Sequence, residues 1–169
     1  MSNLLARSCQ SRPPGRRPNG ADHTPPHTSQ GVSLLCRQPD VHECIAFLLI
    51  KDNHVLAEKR KLTKKVVPGA IALPGGHMEH GESPQDALYR ELREELSLVP
   101  SDITYVCTLL HRSQEFRKLH YFAVHHWEGA MTHNEAEALL WVPCDALDTF
   151  DLDVDRIAIR EYIRVYKSR

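Results

Sequence analysis

The stretch from Gly75 to Leu98, GGHMEHGESPQDALYRELREELSL, admits few structures: it reads as a glycine-rich loop running into a helix. Ser83 is a favourable N-cap, Pro84 suits the first helical position, and Asp86 three residues past the cap completes a capping-box-like start. The spacing therefore predicts a helix from Pro84. At about 100° per residue, Glu91, Glu94 and Glu95 fall within about 100° of arc, while Leu88, Tyr89, Leu92 and Leu96 form the adjoining apolar stripe. The stripe packs the helix down, so the carboxylates face an opening. Ala87, one turn before Glu91, is expected on the acidic side, where so small a side chain leaves room. Arg90 reaches Glu94 at i+4 and can hold it in place.

Three like charges this close repel one another, and a cation should neutralise them. Hard oxygen donors favour Mg²⁺ or Mn²⁺ over zinc, and Mg²⁺ typically couples a few carboxylates to substrate phosphates. Gly75 and Gly76 permit a tight turn whose backbone carbonyl could add another oxygen ligand.

These residues resemble the Nudix box, G-x5-E-x7-R-E-U-x-E-E-x-G-U with U apolar: Gly76, Glu82, Arg90, Glu91, Leu92, Glu94, Glu95 and Leu98 match. The late glycine of the pattern is Ser97 here, which bears on how the helix ends rather than on the chemistry. The resemblance implies an α/β (α+β) fold, a mixed sheet sandwiched between helices, over about residues 41 to 169. It further implies Glu94 and Glu95 as principal metal ligands, aided by Glu91 and the Gly75 carbonyl. Arg90 would orient the glutamates, and Glu82 would support the loop or a second metal. The implied reaction is hydrolysis of a nucleoside diphosphate linked to another group, with water attacking phosphorus. A divalent ion beside the diphosphate neutralises its oxygens and acidifies water.

A chain of 169 residues is long enough for one domain with a proper core. Its net charge of −1 argues against a dedicated nucleic-acid coat, so no stable nucleic-acid complex is expected. Cys9, Cys36, Cys44, Cys107 and Cys144 are odd in number and scattered, as reduced thiols of a cytoplasmic protein would be. No run approaches the roughly 18 apolar residues of a membrane span. Residues 1–40 hold six of the eleven prolines and little apolar periodicity, which predicts a disordered tail. Its Arg7, Arg12, Arg16 and Arg17, with no acidic residue before Asp22, share the composition of mitochondrial presequences. Pro13-Pro14-Gly15 would interrupt an amphipathic helix and favours a flexible basic arm.

Further along, CIAFLLIK from Cys44 and HVLAEKR read as two strands joined at Asp52-Asn53, a hairpin. Lys59, Arg60, Lys61, Lys64 and Lys65 then form a basic cluster, of which Arg60 is the first candidate to reach a substrate polyphosphate. Ala70 to Pro74 is a short expected strand. Beyond the helix, Val99-Pro100-Ser101-Asp102 is expected to break the chain before strands at ITYVCTLLHR and KLHYFAVHHWEG, with Ser113 to Arg117 as their loop. Glu137 to Val142 is a further strand, Asp145 to Asp148 a helical turn, and Val154 to Tyr166 a closing helix packed through Ile157, Ile159, Ile163 and Val165.

Relatives of this kind often draw another glutamate from outside the box as general base or extra ligand. Glu135 and Glu137 lie in a suitable place, and Glu135 is the candidate. Histidines 77, 80, 111, 120, 125 and 126 could serve as bases near neutral pH, although packing or surface roles are the ordinary ones. Tyr121, Phe122 and Trp127 on one strand suit a core; Phe116, on the predicted loop, is the candidate to stack a nucleobase. Neither the proline of ADP-ribose relatives nor the tyrosine of dinucleoside polyphosphate relatives stands in Ser113 to Phe116, and the coenzyme A pattern is absent. LPGGHMEHGES and ALLWVP are similar to the MutT-like group. The expected activity is thus a nucleoside triphosphate pyrophosphohydrolase releasing nucleoside monophosphate and pyrophosphate, with damaged or minor nucleotides among its candidates. Nucleotide-sugar or dinucleoside polyphosphate hydrolysis is the enzymatic alternative. A non-catalytic nucleotide- or RNA-binding module is the alternative of another class, although such modules typically lose the box glutamates kept here.

Overall fold

The computed structural model describes residues 40–167, so the predicted tail over 1–40 lies outside the described residues but for Asp40. Strands β1 (Val41–Lys51) and β2 (His54–Arg60) form the expected hairpin. Asp52 and Asn53 sit at φ 48° and 63°, the left-handed pair whose twist matches that of the flanking strands. β1 is buried along most of its length because both faces are covered. Ala46, Leu48 and Ile50 point into one core, while Ile45, Phe47 and Leu49 point into a second. Full burial of each large residue contributes roughly 1.5–3 kcal/mol.

β3 (Ile71–Ala72) pairs with β2, and β4 (Gly75–His77) pairs with the first half of β1. Helix α1 (Pro84–Leu96) follows, then the long strands β5 (Val99–Arg112) and β6 (Phe116–Glu128). β6 runs parallel to β1, with Val41 opposite Phe116 and Leu49 opposite Val124, and antiparallel to β5. β7 (Ala136–Pro143) adds to β2, a 3₁₀ turn spans Leu147–Thr149, and α2 (Asp153–Tyr162) runs into a π-helical turn at Ile163–Lys167. The strand order is β3-β2-β1-β6-β5. Leu88, Leu92 and Leu96 of α1 cover one face of the sheet, and Val154, Ala158, Ile159 and Tyr162 of α2 cover the other. This is a mixed sheet between helices, as predicted. Among the described residues, no helix is long and apolar enough to cross a membrane.

α1 begins where the cap predicts: the Ser83 hydroxyl accepts from the Asp86 N–H at 3.2 Å. It ends at Leu96, with Ser97 in the left-handed conformation (φ 59°, ψ 33°) and its N–H turned back on Arg93 and Leu92 carbonyls. Serine thus adopts the conformation the family's glycine serves, at a steric cost. Ser97→Gly should therefore stabilise the fold by about 0.5 kcal/mol, net of the freer unfolded chain and the lost 2.9 Å contact of Ser97 Oγ with Thr132 Oγ1. Chemical denaturation at equilibrium would show the gain.

Several expectations need correction. Ala87 is fully buried with Leu88 and Leu92, so it fills the core under α1 and opens no space above Glu91. β5 starts at Val99 without a break: it is an edge strand, and a register shift follows Pro100, which is where a strand tolerates a residue lacking an N–H. The β5–β6 loop is only Ser113 to Glu115. In the last helix the buried positions are Val154, Asp155, Ala158, Ile159 and Tyr162, while Ile157 and Val165 are exposed. The Gly75-Gly76 pair lies in β4, paired to β1, and does not form a tight turn.

Candidate active site

A cavity of about 610 Å³ opens where α1, β4, the loop after β2 and the segment before β7 meet. Gly75, Arg90, Glu91, Glu94, Glu95, Arg60, Lys64 and Glu135 all line it. The three carboxylates differ in depth: Glu94 is well exposed, whereas Glu91 and Glu95 are both buried, at 8% and 7% exposed.

Arg90 organises this group. Its Nε and Nη2 grip the two oxygens of Glu82 at 2.9 Å each, and Nη2 also reaches the His77 carbonyl at 2.9 Å. Nη1 bonds Glu91 Oε1 at 2.8 Å and Glu94 Oε2 at 3.2 Å. The fork holds the Glu82 carboxyl below the usual range. Glu82 also accepts the Glu79 N–H at 2.9 Å, so its oxygens are spent on the loop. Burial pushes the Glu91 carboxyl up against the pull of Arg90.

Glu95 is the outlier. Its Oε2 is buried and has no hydrogen-bond partner among the described residues. Burial, then the charges of Glu58, Glu91 and Glu135, push its carboxyl up to about 9. An ionised carboxylate without a partner is costly to bury, and a positive charge beside it would offset that cost.

The two glycines follow from close approach. A Cβ on Gly75 would stand 2.2 Å from the Ile45 carbonyl oxygen, and one on Gly76 would stand 2.1 Å from Glu91 Oε1. Gly76→Ala should leave the sheet intact but drive the Glu91 carboxylate aside. Turnover should fall about 10- to 100-fold while the unfolding midpoint moves little, which paired activity and denaturation measurements would check.

Arg60, the predicted phosphate ligand, is fixed by Glu58: Nη1 donates to Glu58 Oε1 at 2.7 Å, and Nε donates to the Val66 carbonyl at 3.2 Å. Glu135 receives the Lys64 ammonium, which holds its carboxyl below the usual range. Glu137 instead pairs with Lys59 at 2.8 Å. The structure does not bring Phe116 to the cavity: it opens β6 rather than sitting on a loop, and its ring lies under the Arg112 guanidinium at 5.5 Å. Of the candidate histidines, His77 and His111 reach the wall, while His120 is engaged with Glu43 at 2.7 Å.

The sequence reading missed Glu58 and Asp155. Glu58 is a buried charge in β2, and its i+2 relation to Arg60, on the same face, was the available signal. Asp155 is a charged residue on the apolar stripe of α2. Its oxygens accept from the Leu73 N–H and the Tyr121 hydroxyl at 2.9 Å each, tying α2 to the cavity floor, and burial pushes its carboxyl up to about 6.

The donor set suits a hard divalent cation: Glu91, Glu94, Glu95 and the Gly75 carbonyl line the cavity with Glu135, and Glu95 Oε2 is buried without a partner among the described residues. No three of these groups converge on one point among the described residues; Arg90 takes Glu91 and Glu94, and Lys64 takes Glu135.

A helix-borne carboxylate centre beneath a basic loop, on a mixed sheet between two helices, defines a small domain built for polyphosphate chemistry. The NUDIX domain family model matches residues 41–164, and the chain belongs to that family, in its MutT-like group. It is 30% identical over 96 residues to the 8-oxo-dGTP diphosphatase of Proteus vulgaris, covering 56% of this chain and 85% of the relative. It is 40% identical over 62 residues to the ADP-ribose pyrophosphatase of Methanocaldococcus jannaschii, and that match spans 36% of each protein. The MutT NUDIX hydrolase of Burkholderia pseudomallei has a similar structure, with a TM-score of 0.63 at 25% identity over 72% of this chain and 98% of that one.

Proposed function

We propose that the chain is a metal-dependent nucleoside triphosphate pyrophosphohydrolase that releases nucleoside monophosphate and pyrophosphate. The observation that carries this reading is the buried Glu95 carboxylate, whose Oε2 has no hydrogen-bond partner among the described residues, in a cavity that also holds Glu91, Glu94, Glu135, Arg60 and Lys64. Mg²⁺ or Mn²⁺ held by Glu91, Glu94, Glu95 and the Gly75 carbonyl would supply phosphate charge neutralisation and a more acidic water. Arg60, steered by Glu58, meets phosphate oxygens; Arg90 keeps Glu91 and Glu94 aimed at the cavity. Glu135, ionised at neutral pH, is placed to accept the proton of the attacking water. Cys44, Leu119 and Tyr121 give the cavity an apolar wall for the base and sugar. Similarity to an 8-oxo-dGTP diphosphatase supports a triphosphate substrate.

The shorter match to an ADP-ribose pyrophosphatase favours a second reading, hydrolysis of a nucleoside diphosphate joined to a sugar. A panel of triphosphates, nucleotide sugars and dinucleoside polyphosphates, incubated with Mg²⁺ or Mn²⁺ and resolved by product, separates the two. Monophosphate and pyrophosphate from a triphosphate are expected. Cleavage confined to nucleotide sugars would replace the first reading with the second, and tight binding without cleavage would indicate a binding module.

A further inference from the structure

The loop between Arg60 and Ala70 is tied to the segment leading into β7 by lysines. Lys61 Nζ donates to the Asn134 carbonyl at 3.2 Å, Lys64 Nζ donates to the Glu135 carboxylate, and Lys59 at the end of β2 pairs with Glu137 at 2.8 Å. Only in the Lys64–Glu135 pair do both members line the cavity. That pair is exposed to water, with 30% of the Lys64 and 50% of the Glu135 side chain accessible. Such a pair holds by no more than about 1 kcal/mol. A polyphosphate arriving in the same cavity carries several charges and offers stronger charge-assisted bonds to an ammonium.

The loop itself is held under strain. Val67, which lines the cavity beside Val66, sits at φ 41°, a left-handed conformation that a β-branched residue adopts at a cost. Its two ends are pinned: Arg60 N–H bonds the Ala70 carbonyl at 2.9 Å and Gly69 N–H bonds the Arg60 carbonyl at 3.1 Å. A loop fastened at its base and held to the segment before β7 by one weak ion pair and one lysine–carbonyl bond can let Lys64 change partner without moving the sheet. The acceptor segment is the firmer side, since Asn134 is docked on the end of α1 through its N–H to the Glu95 carbonyl at 3.1 Å and its side-chain amide to the Glu94 carbonyl at 2.8 Å. Lys64 therefore moves, and Glu135 stays.

We propose that Lys64 is a substrate-binding residue that exchanges partners: it neutralises Glu135 in the free protein and transfers to a substrate phosphate oxygen when a polyphosphate enters, which frees Glu135 for the reacting end. This inference rests on the pyrophosphohydrolase reading for the role of Glu135, and adds to it a coupling between phosphate binding and release of that carboxylate. While Lys64 sits on it, Glu135 is a weaker base with an occupied oxygen; substrate itself removes that brake.

The test is a double-mutant cycle on binding. Wild type, Lys64→Met, Glu135→Gln and the double variant are titrated calorimetrically with an α,β-methylene nucleoside triphosphate in EDTA at low salt. Lys64→Met should weaken binding about tenfold, the size of one charge-assisted phosphate contact, and Lys64→Arg should restore most of it. Glu135→Gln should tighten binding about three- to fivefold, because Lys64 no longer has to be taken from a carboxylate that held it by at most about 1 kcal/mol. The double variant should bind like Lys64→Met. A merely structural tie would make both single variants bind alike or worse, and that result overturns the proposal. So does a gain from Glu135→Gln that persists in the Lys64→Met background, which would be simple relief of repulsion. Turnover of triphosphates by the wild type with Mg²⁺ is scored separately, so failure of the functional reading shows there and leaves the binding cycle to decide on Lys64.

Discussion

Glu95→Gln is expected to lower turnover at least about 100-fold and, in the same preparation without metal, to raise stability at alkaline pH. Both effects come from one side chain. Glu95 is buried with an unpartnered oxygen, and its carboxyl is pushed from the ordinary 4.5 up to about 9, first by burial and then by Glu58, Glu91 and Glu135. A folded-state pKa above the unfolded one means that folding takes up a proton between those values. The resulting stability is complete below pH 4.5 and is lost as pH rises through about 9, with a slope of at most about 1.4 kcal/mol per pH unit. Glutamine is neutral at every pH and close in shape, so the variant should show a flatter profile. Denaturation in EDTA at pH 6, 7.5 and 9 checks this. The wild type should lose ground with each step, and the variant should overtake it. Adding Mg²⁺ should restore the wild type at pH 9 and leave the variant unmoved. Near-normal turnover by Glu95→Gln would remove the residue from the proposed metal site. Parallel pH profiles would show that Glu95 is not the group whose burial costs stability.

The same balance explains why such a cluster is found at all. A core position occupied by a carboxylate that must stay protonated to be tolerated is a poor use of burial, and a neutral residue there would be better for the fold. On the proposed function, its value lies in what the charged form does once a cation is bound.

What could be read from the sequence follows from the same physics. The α1 start was legible because Ser83, Pro84 and Asp86 each act locally, and the β1–β2 turn was legible because Asp52 and Asn53 suit left-handed angles. Grouping Glu91, Glu94 and Glu95 needed only helical geometry; their depths did not follow, since periodicity gives an angle and not the height of the neighbouring wall. For that reason Ala87 was set on the wrong side of its helix, and Ile157 and Val165 were expected inside when they face water. Val99 to Asp102 looked like a break because a proline ends most elements, yet an edge strand with a register shift accommodates it. Phe116 was placed on a loop because Ser113 to Glu115 before it are polar, yet it opens β6, where it is half-buried and paired to Arg112 of β5 and Val41 of β1. Asp155 went unseen because a buried acid inside an apolar pattern is recognised only through its partners, and Leu73 and Tyr121 lie far from it along the chain; the partner of Glu58 was two residues away, but Arg60 was assigned to phosphate instead.

Arg90→Lys keeps the charge and should nonetheless lose about 10- to 100-fold in kcat and about 2 kcal/mol in stability. The reason is the shape of the fork. Arg90 makes two parallel bonds to Glu82, one to the His77 carbonyl and one each to Glu91 and Glu94, all from a single planar group. Lysine brings three donors at one point on a mobile stem and cannot reach Glu82 on the loop and Glu91 on the helix together. If it follows Glu82, the mostly buried Glu91 loses the partner that opposes its burial, and its carboxyl rises further. The kcat of the variant should then rise with pH more steeply than that of the wild type, because a higher pH restores the charge that the fork no longer secures. If it follows Glu91 instead, the Glu79–Glu82 loop loosens, kcat falls without the added pH dependence, and proteolysis near Gly81 becomes faster. The pH profile of kcat, with limited proteolysis beside it, tells which half of the fork matters more. A variant with full activity and unchanged stability would mean that the glutamates hold their places without Arg90.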